Sequence, residues 1–356
     1  MRKQTWNWVL VPAISLISGN APLSAPSVVS IGFVDSKIDG GCRSNADRDQ
    51  DGIDDGCENR LLQNFAPLLH LADNDWTRPA NVDWYLARVR MSFHHNNCSD
   101  DGILAAGAVT QTTLLAQQHA AKSGLSGLCR HNSTLIRSRR GPWSENEHFF
   151  LQAANDATHA GSSNPADWVV YGHAFPNTVG GINLQYWFFY AFNDNFASAN
   201  HESDWESVLV ALKPDRTFSH ATFCAHGTCD NRFGKQSLTF FGNHLEVWVA
   251  DGSHASFRSE ISCDRQVVGT EGVFPFNCSS NPADRWFTWV GGKGTQTGHQ
   301  GGGVINVGEV GRGRTLNGQV FINYEGGVWG EQGLFELTSG KRTPSFQDNW
   351  NQDRAP

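Results

Sequence analysis

Residues 200–210 read NHESDWESVLV, an imidazole and three carboxylates set immediately ahead of an apolar run. Side chains of these types serve as metal ligands or as a pair of catalytic acids, and the backbone decides which of them can act together. On a helix, at roughly 100° per residue, Asp204 and Glu206 stand about 200° apart and share nothing. On a strand, side chains two apart lie on one face, so Asp204 and Glu206 sit side by side while Trp205 faces the opposite layer. The following SVLVAL is a strand sequence, which selects the second arrangement. His201 stands just upstream. Asp194 leaves the preceding aromatic segment LQYWFFYAF and completes the set if the two segments form a hairpin. One imidazole with three carboxylates is an oxygen-rich set, which favours Mg²⁺, Ca²⁺ or Mn²⁺ over zinc or copper. A polar strand end above a buried tryptophan accounts for the same residues without a metal.

A second acidic group lies nearer the N-terminus. DRDQDGIDDGCE places Asp47, Asp49 and Asp51 at loop positions one, three and five, Gly52 at six, Ile53 at seven, Asp55 at nine and Glu58 at twelve. This is the spacing of an EF-hand-like calcium loop: alternate acids converge on a hard cation, the glycine permits the sharp turn, and Ile53 supplies a backbone carbonyl. A helical pattern follows in ENRLLQNF but none precedes Asp47, so the expectation is a half-hand that binds Ca²⁺ structurally. A solvated acidic loop is the alternative.

The elements that must position these groups follow from composition. The chain has 356 residues, 17% of them charged, with 37 glycines, 13 tryptophans and 22 phenylalanines. That balance points to a turn-rich, aromatic-packed β protein. Strand patterns occur in NVDWYLARVRMSF, LQYWFFYAF, DWESVLVAL, HATFCA, LEVWVA, RWFTWV and QVFINY, and predict an antiparallel β-sandwich. Two stretches read as helical: 105–122, rich in Ala, Leu and Gln, and SENEHFFLQAA, which opens with Ser144 and Glu147 at capping-box spacing. Together they predict a helical insertion at about residues 100–160. GGKGTQTGHQGGG reads as a flexible loop.

Residues 1–25 have a cationic head, a short apolar middle and a small-residue tail, the pattern of a secretory signal. The resulting division is 1–25 signal, 36–60 calcium-loop segment and 61–356 β-sandwich domain. No stretch approaches the ~18 uninterrupted apolar residues of a transmembrane helix, so a secreted protein is expected. The formal charge is −8, and acids exceed bases by 35 to 27, which argues against nucleic acid as a partner. Eight cysteines in an oxidising compartment predict disulfides, and proximity pairs Cys42 with Cys57, Cys98 with Cys129, Cys224 with Cys229 and Cys263 with Cys278.

HESDWE, after an aromatic strand QYWFFYAFND, resembles the His-x-x-Asp-Trp-Glu heptapeptide region of the necrosis-inducing (necrosis- and ethylene-inducing peptide-like) proteins. FAPLLHLADND, CAHGTCD and GSHASF resemble further segments of that family in the same order. With YEGGVWG added, the set is most similar to the vacuolar protein sorting-associated branch, in patches from Phe65 to Trp329. Asn200 and Ser203 depart from the signature, which has Gly before the first His and a second His before the Asp. The resemblance implies a β-sandwich with a divalent cation held by Asp194, His201, Asp204 and Glu206, and His226 and His254 nearby. It also implies engagement of a sphingolipid head-group sugar at a membrane, followed by membrane damage, an activity that does not itself imply catalytic turnover.

Two function classes remain. One is a secreted, cation-dependent protein that binds a glycan or glycosphingolipid head group, with peripheral membrane contact and toxin-like membrane damage; Trp76, Trp84 and Trp143 are candidate sugar-covering rings. The other is a metal-dependent extracellular hydrolase or lyase acting on a polysaccharide. Its catalytic candidates are Asp204 and Glu206 as acid and base, or His226 and His254 beside a metal. No Gly-x-Ser-x-Gly elbow, P-loop, HExxH or dinucleotide fingerprint is present, so serine-hydrolase, NTPase and zincin readings lack support.

Overall fold

The computed structural model describes residues 46–95, 99–119, 136–137, 147–194, 200–225, 228–229, 232–264, 276–311, 313–331 and 339–355. All of them belong to one compact unit, Ile38–Pro356. The expected signal segment, Cys42, Cys98, Cys129, Trp143 and His226 lie outside the described residues.

In chain order the first region holds α1 (Asp55–Asn64), β1 (Leu68–His70), α2 (Val82–Leu86), β2 (Val89–His94), β3 (Asp101–Leu104), α3 (Gln111–Ala116), β4 (Gln118–His119), β5 (Ile136–Arg137) and β6 (His148–Ala153). Four long strands follow: β7 (Val169–Pro176), β8 (Ile182–Asn193), β9 (His201–Leu212) and β10 (Phe218–Ala225). Shorter elements complete the chain: β11 (Thr228–Cys229), β12 (Phe233–Gly234), β13 (Phe240–Phe241), β14 (His244–Val249), β15 (Ser256–Phe257), α4 (Glu260–Asp264), β16 (Arg285–Phe287), β17 (His299–Gln300), β18 (Gly303–Asn306) and β19 (Gly327–Val328).

Three sheets stack as layers. The central sheet runs β11-β10-β9-β8-β7-β18, with β12 also on β10. A second sheet, β13-β14-β1-β16-β17 with β15 on β14, covers one face, and a third, β19-β6-β2-β3, covers the other. Two apolar cores result. Leu184, Tyr186, Phe188, Val208 and Val210 of the central sheet meet Leu69, Leu245, Val247 and Trp286 of the second sheet. Trp187, Phe189, Ala191 and Trp205 meet Met91, Phe93, Phe149 and Leu151 of the third. Consecutive residues of β8 and β9 thus alternate between two buried faces, which is why YWFFYAF is an unbroken aromatic and apolar run instead of alternating with polar residues.

Several expectations are corrected. The sheets are mixed, not antiparallel: β1 with β14, β16 with β17, β7 with β18 and β6 with β19 all pair in parallel. Among the described residues of the expected helical insertion α3 is the α-helix, with a capping box of Thr110 and Thr113; Ser144 lies outside the described residues. HFFLQA is strand β6, because Phe149, Leu151 and Ala153 have alternate positions to bury and β2 offers a full antiparallel partner. NVDWYLARVRMSF is divided: Asn81 caps α2 through the Trp84 N–H, and only Val89–His94 is extended. Val320–Asn323 of QVFINY is a 3₁₀ turn. The glycines of GGKGTQTGHQGGG are partly packed, for a Cβ on Gly301 would lie 2.1 Å from Trp286 Nε1.

Disulfides join Cys224 to Cys229, directly opposed across β10 and β11, and Cys263 to Cys278. Cys57 is also disulfide-bonded, with its partner outside the described residues. No helix of the described residues is long and apolar enough to cross a membrane.

Candidate functional site

β8 and β9 form a long antiparallel hairpin in constant register, with Asp204 opposite Tyr190, Trp205 opposite Phe189 and Glu206 opposite Phe188. Asp204 and Glu206 therefore share the face that looks to the second sheet, and both are buried. Trp205 takes the other face, 4.7 Å from the Phe189 ring centroid and 5.5 Å from that of Trp329, the tryptophan of YEGGVWG. Strict alternation would bring Glu202 to the Asp204 side as well. Ser203 instead has φ 58°, and Glu202 accepts from the Ala153 N–H at 3.1 Å and faces His159 Nε2 at 3.2 Å, on the third-sheet side.

His201 opens β9 opposite Asn193. Its Nδ1 donates to the Ser203 carbonyl oxygen at 2.7 Å, which puts the ring lone pair on Nε2, the form in which imidazole ligates metals. Asp194 is exposed at the end of β8. Its Oδ2 accepts from the Trp76 indole N–H at 2.7 Å and its Oδ1 from the Asn200 amide at 3.0 Å. The Trp76 ring is 49% exposed, so an aromatic face stands open beside an acidic strand end.

His254 reaches this end from the β14–β15 turn. The ring is fully buried and stacks on Tyr190 with centroids 3.8 Å apart. Nδ1 lies 3.0 Å from Asp204 Oδ2; Nε2 lies 2.6 Å from Thr77 Oγ1 and 3.4 Å from Asp75 Oδ2. Burial alone would lower its pKa, but the charges of Asp75 and Asp204 and their hydrogen bonds outweigh desolvation and raise it to about 9. His254 is therefore an imidazolium at neutral pH. Burial would raise Asp75 in turn, yet the His254 charge and bonds from His254 and Thr77 hold it below the usual carboxylate value. Asp75 and Asp204 bring two carboxyl groups against this single buried cation.

Backbone supports the cluster tightly. Gly252 has φ 69°, its N–H faces Asp75 Oδ2 at 3.3 Å, and an added Cβ would lie 2.3 Å from the Asp194 carbonyl oxygen. Gly252→Ala is expected to cost at least the ~1–3 kcal/mol of a strained left-handed residue. Urea unfolding that leaves the midpoint of this variant in place would contradict the close approach. His254 itself has φ 54°, a conformation uncommon outside glycine and typical of constrained functional positions.

Residues the sequence left unmarked are Asp75, Thr77 and Tyr190. A signal existed in Asp-Trp-Thr at 75–77, since Asp75 Oδ1 accepts from both the N–H and the hydroxyl of Thr77, as acids two residues before Thr commonly do. What nothing local revealed is that Asp75 meets a histidine 179 positions later.

The acidic loop forms a second group. Donor oxygens of Asp47, Asp49 and Asp55, and of Asp49, Asp51 and Glu58, lie within 4.8 Å of one another. Gly52 has φ 92°, and Asp47 accepts from the N–H groups of Asp51 and Gly52 at 3.1 Å, winding the loop around these oxygens. Asp55 stands in the first of these groups and also pairs with the Arg48 side chain and backbone N–H at the start of α1. Both carboxyl oxygens of Asp49, Oδ2 of Asp51 and Oε1 of Glu58 are buried without a hydrogen-bond partner. Desolvation first, then mutual repulsion, pushes Asp49 up to about 8, Asp51 to about 6 and Glu58 to about 10. Buried acceptor oxygens with no donor fit a hard divalent cation, which would satisfy all of them at once.

No family model matches the chain. Nor does any curated protein. Solved structures that resemble it are necrosis- and ethylene-inducing proteins. NLPPya in complex with mannosamine is 12% identical with a TM-score of 0.32, covering 74% of this chain and 77% of that one. Non-toxic HaNLP3 is 11% identical with a TM-score of 0.32, covering 74% and 78%. Necrosis and Ethylene inducing Protein 2, from the causal agent of cocoa's Witches Broom disease, is 15% identical with a TM-score of 0.28, covering 56% and 67%. Likeness at these scores fixes neither topology nor chemistry.

Proposed function

We propose that this chain is a secreted protein that binds a glycan or glycolipid head group in a divalent-cation-dependent way at the β8–β9 end. The cation would be Mg²⁺, Ca²⁺ or Mn²⁺, held by Asp194, His201, Asp204 and Glu206. The observation that carries the reading is Trp76: an exposed indole bonded through its N–H to Asp194, so that a ring face and an acidic strand end share one surface. Sugars need both, since a cation coordinates hydroxyls while an aromatic ring covers the apolar side of the pyranose. The excess of carboxyl groups over the His254 cation gives a further reason for a bound divalent ion. Membrane damage after head-group binding belongs to the same reading through the HESDWE resemblance.

The second reading, a metal-dependent hydrolase or lyase acting on a polysaccharide, draws on His254, but a ring fully enclosed by Tyr190, Thr77, Asp75 and Asp204 is poorly placed to exchange protons with a bound polymer.

Calorimetric titration tests the cation site. In a background with the calcium loop silenced by Asp49→Ala, Glu206→Gln is expected to weaken divalent-ion binding at least ~10-fold. Asp204→Asn should do the same at a larger cost in stability, because it also strips His254 of a partner. Unchanged stoichiometry and affinity in both variants would remove the ion from this end of the sheet.

A further inference from the structure

A third cluster of donor atoms lies apart from both acidic groups, at the far end of the third sheet. His95 follows β2, Asp101 opens β3 and His119 closes β4. His95 Nε2 and His119 Nε2 each lie 2.9 Å from the same oxygen, Asp101 Oδ2. Both imidazoles are buried, at 4% and 6% exposure. Neither ring is loosely placed: His119 stacks on Phe93 with centroids 4.1 Å apart, and His95 meets Phe93 edge-on at 5.2 Å. On the far side of His95, Nδ1 faces Glu147 Oε1 at 3.9 Å.

From this arrangement we propose a binding site for a divalent first-row transition ion, with zinc as its natural probe, formed by His95 Nε2, His119 Nε2 and Asp101 Oδ2. Ligands about 2.0–2.1 Å from a tetrahedral zinc stand ~3.3 Å apart, so the two 2.9 Å separations from Asp101 Oδ2 need only a small spreading, and all three donor atoms lie within 4.8 Å of one another. Two imidazoles and one carboxylate form a borderline-soft set, unlike the all-oxygen calcium loop, and this selects zinc, cobalt or nickel over calcium and magnesium. Glu147 stands where metal-bound histidines commonly keep an outer carboxylate. When His95 ligates through Nε2 its proton moves to Nδ1, and that N–H then faces Glu147. The ion would clip β4 to the β2–β3 hairpin across the 18 residues that separate Asp101 from His119.

The site is independent of the glycan reading and fails or stands separately from it. The test is a Zn²⁺ titration of Co²⁺-loaded protein, followed by the visible absorption of Co²⁺, with Asp49→Ala in every sample. The expected result is one Co²⁺ with the strong visible band of a four-coordinate ion, displaced by one Zn²⁺. His119→Gln and Asp101→Asn should each weaken Zn²⁺ at least ~10-fold. His94→Gln, at the neighbouring His94, Asp100 and His148 group, should change nothing. On the unmodified sequence, Zn²⁺ should also shield His95 and His119 from diethyl pyrocarbonate, read by peptide mass, so the assignment is decided even if a variant does not fold. Absence of the visible band, equal labelling of both histidines with and without Zn²⁺, or loss of binding only in His94→Gln would overturn the proposal.

Discussion

Replacing His254 by glutamine is expected to lower stability by about 3–5 kcal/mol, the cost of removing one partner from a buried charge pair. The substitution keeps a polar side chain of comparable reach but cannot carry charge, so Asp75 and Asp204 are left buried together. The same pairing sets a pH dependence. A folded-state pKa of about 9 lies above the ordinary histidine value, so this contribution is complete below about 6.5 and is lost as pH rises through about 9. The unaltered protein should therefore lose stability between pH 7 and 9.5 more steeply than His254→Gln, in urea unfolding with calcium present throughout. Parallel curves for the two proteins would mean that His254 is neutral in the fold.

Withdrawal of calcium should have the second large effect, and its pH signature has an unusual sign. Carboxylates normally bind protons less in the folded state; Asp49, Asp51 and Glu58 bind them more, because burial and mutual repulsion raise all three. In chelator, then, stability should fall as pH rises from about 4 toward 8, where the unfolded chain has released these protons and the folded loop has not. Calcium at 100 times its Kd should restore ~2.7 kcal/mol, seen as a rise in Tm of about 4 °C at pH 7.5, and should release protons on binding. Glu58→Gln is expected to abolish most of the calcium response. A Tm indifferent to calcium at pH 7.5 would leave the loop as a solvated acidic turn, and the donorless oxygens of Asp49 and Glu58 unexplained.

Reading these groups from sequence succeeds where the determinant is local. The period of two that put Asp204 and Glu206 on one face and Trp205 on the other is a property of extended backbone, and β9 follows it from Asp204 onward. One residue earlier it fails, since the left-handed Ser203 redirects Glu202. The helix after the acidic loop is legible because its determinants are local: the pattern of ENRLLQNF buries Leu61 and Leu62 within the ten residues of α1, which Asp54 caps through the Cys57 N–H. By contrast HFFLQA carries helix-compatible residues and becomes β6 only because β2 lies alongside, a partner more than fifty positions away. Parallel pairs such as β7 with β18 are illegible for the same reason: nothing in GGVIN or VVYG names the other. His254 was visible as a motif residue, but its charge state depends on Asp75, and only the assembled fold brings that carboxylate to it.

Dye-loaded glycosphingolipid vesicles give the most direct measurement of the central claim. The protein is incubated with them with and without chelator, beside a panel of labelled polysaccharides under the same conditions. Head-group binding through the β8–β9 end predicts cation-dependent association or dye release that Trp76→Ala and Glu206→Gln each reduce about tenfold, with every polysaccharide left intact. Chelator-sensitive cleavage of a polysaccharide, or vesicle binding untouched by both substitutions, would contradict it.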